Sequence, residues 1–242
     1  MVGPIRTKID AIFFLNKSGN ALYSLIIFDW DGTLIDSAER IVTCMQIAMR
    51  EVGLPVLSDH AIRQIIGLGL PEAFQQLYPG IDMREMERMR DFYAKHFIGN
   101  EIPASQLFPG VAESLDRLKT QGFQLAVATG KSRKGLNRVF SETPWGDYFC
   151  ASRCADETRS KPHPQMIHEL LDETGVVPKR ALMVGDTEFD MEMAQLAGVD
   201  RVAVSYGVHE TERLKKYEPV LVVDQINQLN DWLAQQQAAK FR

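Results

Sequence analysis

Leu25-Ile26-Ile27-Phe28-Asp29-Trp30-Asp31-Gly32-Thr33-Leu34-Ile35-Asp36-Ser37 is the stretch on which the reading of the whole chain turns. Its apolar head, with two β-branched residues, has the pattern of a buried strand, and it delivers two carboxylates, Asp29 and Asp31, into a turn at Gly32. In extended chain these side chains project to the same face. Two ionised carboxylates about 4 Å apart repel by roughly 4 kcal/mol at an effective dielectric near 20. A divalent cation, a shared proton or a nearby lysine would relieve that repulsion, and the cation would also bridge a phosphate oxygen and an attacking carboxylate. An Asx turn at a strand end uses the same residue types for geometry alone, so the decision rests on what the rest of the chain supplies.

Three later segments supply it. Phe123 to Thr129 is an apolar strand ending in Thr129-Gly130-Lys131-Ser132. The letters Gly-Lys-Ser suggest a nucleotide phosphate loop, but the glycine required five positions before Gly130 is Leu125, which excludes it. What remains is a hydroxyl and a free amide ahead of a helix through Leu136, Val139 and Phe140, a geometry that binds phosphate oxygens. Further on, Ser160-Lys161-Pro162-His163-Pro164 holds a lysine whose backbone is restricted by the following proline, and Pro164 suits the start of a helix through Ile167, Leu170 and Leu171. Ala181-Leu182-Met183-Val184 is another buried strand, and it leads into Gly185-Asp186-Thr187-Glu188-Phe189-Asp190. Magnesium prefers a shell of oxygens and keeps several waters, so one or two carboxylates beside Asp29 are what such a site needs. His163 and His168 have no comparable support as ligands.

Between the first motif and the second, residues 37–106 show helical periodicity only. Ile41, Cys44, Met45, Ala48 and Val52 recur at spacings of three and four, Ser58 caps a second stretch, Pro71 opens a third and Asp82 a fourth. Met45, Met83, Met86 and Met89 read as packing on apolar helical faces. Gly67-Leu68-Gly69 lacks the third glycine and the preceding strand of a dinucleotide fingerprint.

The four motifs, in this order, resemble those of the haloacid dehalogenase superfamily in its phosphatase form, over about Ser24 to Trp232, and the branch they look most like is the phosphoglycolate phosphatase group. The resemblance implies a doubly wound α/β core, a parallel Rossmann-like sheet, with an inserted helical cap whose Gly67-Leu68-Gly69 loop faces the active site. It implies Asp29 as nucleophile, Asp31 as general acid and base, and Thr129, Gly130 and Lys161 on the substrate phosphate. Magnesium would be held by Asp29, Asp31 through its carbonyl and Asp186, with Asp190 one helical turn further on as their supporting partner. The presence of Asp31 argues against true dehalogenases. A phosphonate-cleaving relative would want a cap lysine, and the only one in 37–106 is Lys95. A sugar-phosphate mutase and a phosphometabolite-binding module without catalysis are the alternatives, while Arg40 and Arg63 are candidates for a substrate carboxylate.

The domains expected are therefore an extension over residues 1–23, a catalytic core over 24–36 and 107–242, and a cap over 37–106. The 242 residues suffice for that arrangement, and a net charge of −5, from 27 basic against 32 acidic residues, makes nucleic acid or an anionic membrane a poor main partner. A small phosphate ester is the expected partner, and the chain itself is expected as a monomer or homodimer. Cys44, Cys150 and Cys154 form neither an even disulfide framework nor a structural zinc set, so reduced thiols in the cytoplasm are expected.

Overall fold

The computed structural model describes residues 22–99 and 106–239. Its strands are β1 (Leu25–Phe28), β2 (Ile35–Asp36), β3 (Gln106–Leu107), β4 (Gln124–Thr129), β5 (Ala151–Cys154), β6 (Ala181–Gly185), β7 (Asp200–Val204) and β8 (Leu221–Val223). Its helices are α1 (Ala38–Val52), α2 (Asp59–Arg63), α3 (Leu70–Leu77), α4 (Met83–Ile98), α5 (Val111–Thr120), α6 (Arg133–Glu142), α7 (Gln165–Thr174), α8 (Glu188–Leu196), α9 (Thr211–Lys215) and α10 (Asn227–Ala239). Among the described residues there is a six-stranded sheet in the order β5-β4-β1-β6-β7-β8, with every pairing parallel.

The opening strand lies at the centre of this sheet because both of its faces are apolar. Leu25, Ile26, Ile27 and Phe28 are all buried. Ile26 and Phe28 pack with Leu125, Val127, Leu182 and Val184 on one face, under α5, α6 and α10. Leu25 and Ile27 pack with Ala126, Ala128 and Met183 on the other, under α7 and α8. Such near-continuous apolar runs are what a parallel strand covered on both faces requires, and full burial of each large side chain contributes roughly 1.5–3 kcal/mol.

Helices α1 to α4 have a core of their own, formed by Val42, Met45, Met49, Ile62, Phe74 and Met89. The chain leaves the sheet for them through β2 and returns through β3, which pair antiparallel as Ile35 with Leu107 and Asp36 with Gln106. Two features of the sequence reading change here. Gln106, read at the end of the helical stretch, starts β3; a two-residue strand is too short to show alternation. Met83 is 71% exposed and lies outside the buried cluster of α1 to α4, since it is the first residue of α4.

Most of the expected extension, residues 1–21, lies outside the described residues, but Tyr23 belongs to the core. It is buried, its ring meets Trp232 at 5.9 Å, and its hydroxyl donates to Asp200 Oδ2 at 2.7 Å. The edge strand β5 and helix α9 show no sequence signal of comparable strength; β5 is half-exposed at Ser152 and Arg153, and α9 is a single turn. No helix among the described residues is long and apolar enough to cross a membrane.

Candidate active site

Every parallel strand points its carboxyl end to the same edge of the sheet, the edge at which open α/β folds take their ligands. At the end of β1, Asp29 N–H donates to the Val184 carbonyl at 3.0 Å, and the chain then turns back on itself. The amides of Leu34 and Ile35 both donate to the Trp30 carbonyl, at 3.0 and 3.1 Å. Gly32 sits at φ +85, and a Cβ there would collide with the Asp186 carboxylate. The Trp30 side chain points away from the site, into the core, where its ring is edge-on to Phe140 and Phe149 at 5.6 and 6.0 Å.

Asp29 is 1% exposed. Its Oδ1 lies 2.6 Å from Lys161 Nζ, and its Oδ2 is buried with no hydrogen-bond partner among the described residues. Lys161 is pinned on its other side by Asp190 Oδ1 at 2.7 Å. Burial alone would lower the Lys161 pKa, but the charges of Asp190 and Asp29 outweigh it and hold the ammonium above its ordinary value. Asp190 gains its orientation from the start of α8. Its Oδ2 accepts from the Thr187 amide and hydroxyl at 3.1 and 2.7 Å, which with the Asp190 amide on Thr187 Oγ1 makes a capping box.

Asp186, at the end of β6, accepts from Thr33 Oγ1 at 2.8 Å and from the Val208 amide at 2.9 Å. Carboxylate oxygens of Asp29, Asp186 and Asp190 can be chosen that all lie within 4.8 Å of one another. One ammonium against three buried carboxylates leaves the cluster electron-rich. Burial, opposed by Lys161 and reinforced by Asp190 and Asp186, drives the Asp29 pKa well up. Burial and then the Asp190 charge push Asp186 up to about 7, against the Thr33 and Val208 hydrogen bonds. A divalent cation is what would relieve such a set, and the unpartnered Asp29 Oδ2 is the oxygen that lacks another use.

Asp31 stands apart from those three. Its Oδ2 is 2.9 Å from Lys131 Nζ and its Oδ1 accepts from Ser37 Oγ at 2.7 Å, so each of the paired aspartates has a lysine of its own. Thr129 is fully buried at the end of β4, and its Oγ1 accepts from the Lys131 amide at 3.2 Å. Gly130 is required by close approach, since a Cβ there would come within 2.7 Å of the Gly67 and Leu68 carbonyls. The Gly67-Leu68-Gly69 loop thus lies directly over the second motif. It also touches the third and fourth, through the Gly69 amide on Ser160 Oγ at 2.8 Å and the packing of Gly67 against Thr187 and Phe189.

Asp29, Lys161, Asp186 and Asp190 are therefore brought into one cluster, with Asp31 tied to Lys131 beside Thr129 and Gly130. Arg40 and Arg63 are engaged elsewhere. Arg40 Nη2 donates to the Phe97 and Gly99 carbonyls at 2.7 and 3.3 Å, and Arg63 pairs with Glu39. Sequence reading gave no role to Thr33, Ser37 or Lys131. The first two lie inside the opening motif, and Lys131 is the lysine of the rejected Gly-Lys-Ser triplet, so position beside a motif was the available signal.

The model of the haloacid dehalogenase-like hydrolase family matches residues 26–204. A protein of Dickeya dadantii (strain 3937) named Probable phosphatase IndB is 37% identical over 210 residues, which cover 85% of this chain and 91% of that protein. The phosphoglycolate phosphatase of Nitrosococcus oceani is 30% identical over 219 residues, covering 87% of this chain and 96% of its own. Among solved structures, the crystal structure of a predicted phosphoglycolate phosphatase from Haemophilus somnus 129pt matches with a TM-score of 0.79 at 26% identity, over 88% of this chain and 99% of that one.

Proposed function

The chain belongs to the haloacid dehalogenase-like hydrolases and is a phosphatase of that family, and from that premise we propose that it hydrolyses a small phosphate monoester with Mg²⁺, through an aspartyl phosphate on Asp29. The observation that carries this reading is the buried, unpartnered Asp29 Oδ2 beside Lys161, within a cluster of three carboxylates.

In this mechanism the Asp29 carboxylate attacks phosphorus in line with the ester oxygen, and the P–O bond to the alcohol breaks as the new P–O bond forms. Asp31 gives its proton to the departing oxygen, then takes one from the water that attacks the aspartyl phosphate and returns Asp29 to its free form. Lys161 and the Thr129 hydroxyl, with the Gly130 amide, hold the non-bridging oxygens, where positioning and electrostatics supply most of the rate. Asp29, Asp186 and the Asp31 carbonyl would hold Mg²⁺, which when bound would supply a positive charge to offset the repulsion between the anionic nucleophile and the anionic substrate. Asp190 keeps Lys161 in place. Helices α1 to α4 act as the cap, and the Gly67-Leu68-Gly69 loop excludes bulk water over the second motif. The free thiols Cys44, Cys150 and Cys154 fit the cytoplasm as its compartment.

Phosphate release from phosphoglycolate, sugar phosphates and nucleoside monophosphates, with Mg²⁺ and with chelator, tests the proposal. Metal-dependent release concentrated on a small ester is expected. Phosphate retained and moved to a second hydroxyl of a sugar phosphate would replace hydrolysis by mutase chemistry. Binding of an ester with no turnover of any kind would leave a phosphometabolite-binding module.

A further inference from the structure

We propose that Lys131 recognises an anionic substituent on the leaving group, in the first instance a carboxylate on the carbon that bears the ester oxygen, and so makes the enzyme selective for phosphate esters of small hydroxy acids. This rests on the phosphatase reading, in which the leaving oxygen comes to Asp31.

A general acid works within roughly 2.6–3.2 Å of the atom it protonates. Lys131 Nζ is 2.9 Å from Asp31 Oδ2, so a group one carbon beyond the leaving oxygen falls within its reach. An ammonium has three donors. Among the described residues Asp31 is the one ion-pair partner of Lys131, and the Lys131 side chain retains 11% exposure, so the ammonium has donors beyond the one spent on Asp31. The backbone of Lys131 is fixed, its amide on Thr129 Oγ1 at 3.2 Å and its carbonyl on the Ala155 amide at 3.0 Å. The same turn that holds the phosphate oxygens therefore sets the distance from phosphorus to the ammonium.

The opposite wall comes from α4. Lys131 Nζ lies 4.8 Å from the centre of the Phe97 ring, and Tyr93 stacks on Phe97 at 5.4 Å. Phe97 is further held by the Arg40 guanidinium, 5.0 Å from its centre. Aromatic rings this close to the ammonium leave a narrow space, which suits a leaving group of few atoms. The other ammonium of the site, Lys161, is wholly buried between Asp29 and Asp190 and pairs with the nucleophile, not with Asp31. Lys131 is thus the cation placed to tell a charged alcohol from a neutral one.

The test compares kcat/KM for phosphoglycolate with that for ethyl phosphate, an ester of the same carbon count without the carboxylate, in the wild type and in Lys131→Met. The expected result is a wild-type preference for phosphoglycolate that falls roughly 10- to 100-fold in the variant, the range for loss of a charge-assisted hydrogen bond, whatever happens to the two absolute rates through Asp31. A ratio within about threefold of the wild-type value overturns the inference. Lys131→Gln carries the same comparison if the Met variant does not fold. The binding preference between the same two esters, measured by calorimetry with Mg²⁺ in Asp29→Asn and in Asp29→Asn with Lys131→Met, does not need turnover. A preference abolished by the second substitution supports the inference, and one left unchanged overturns it. A wild type that hydrolyses neither ester counts against the phosphatase reading, and the calorimetric comparison then decides the role of Lys131 separately.

Discussion

Lys161 carries the charge balance of the site, because it is wholly buried and separates two carboxylates at 2.6 and 2.7 Å. Removing one partner of a buried ion pair costs about 3–5 kcal/mol, since the other charge is left uncompensated. Lys161→Met is expected to lose that much in urea unfolding without metal, and its phosphatase activity with it. Asp29→Asn leaves the Lys161 ammonium paired with Asp190 and removes one of three clustered buried carboxylates. It is expected to keep its melting temperature within a few degrees while losing at least about 10³-fold in kcat, as a lost nucleophile should. Asp186 supplies a pH dependence. The folded state keeps the Asp186 proton up to about 7, whereas an ordinary aspartate loses it near 3.8, so the folded state binds more protons across that window. The stability it contributes is present below the lower value and lost as the pH rises through the upper one. In chelator, Asp186→Asn should therefore become progressively more stable than the wild type between pH 5 and pH 8, as read from urea midpoints at each pH. At residue scale the gathering of Asp29, Asp186 and Lys161 in one cluster was legible, since polar groups that follow apolar runs stand out against them. The division of labour was less so: that each aspartate has its own lysine follows from side-chain directions around two separate turns.

At the scale of elements, the site is assembled where turns meet. The Gly67-Leu68-Gly69 loop crosses Gly130 so closely that any side chain there must push it aside. Gly130→Ala is expected to lower kcat/KM by about tenfold or more while changing the unfolding midpoint far less, because the loop can lift away without disturbing the sheet. Circular dichroism melts alongside kinetics would check this. The end of α2, just ahead of that loop, is tied to the core by Arg213, which donates to Gln64 Oε1 and pairs with Glu188. The helical periodicity of α1 to α4 and the Ser58 and Asp82 caps were readable, and both caps form, on the Ala61 and Glu85 amides. β2 and β3 were not. Two residues cannot display a period of two, and their pairing depends on chain that returns about seventy residues later.

For the whole molecule, the arrangement of parallel strands around a central β1 brings residues from four distant segments to one edge. Binding of Mg²⁺ to the folded state alone should raise stability by mass action, by about 2.7 kcal/mol at a concentration one hundred times Kd. Thermal melts of the wild type across a Mg²⁺ titration are expected to show this rise, and Asp186→Asn to show little of it.

The amino-acid sequence by itself determined the class of fold, the order of the motifs along the chain and the polar groups that follow each central strand. Those properties are local: apolar runs, turn residues and the polar groups that follow them. Tertiary structure alone decided that Tyr23 belongs to the core, that Arg40 and Arg63 serve other partners, and that Lys131 stands beside Asp31. Each of those outcomes depends on which distant side chain fills the space around a long, flexible residue, and spacing along the chain does not encode that.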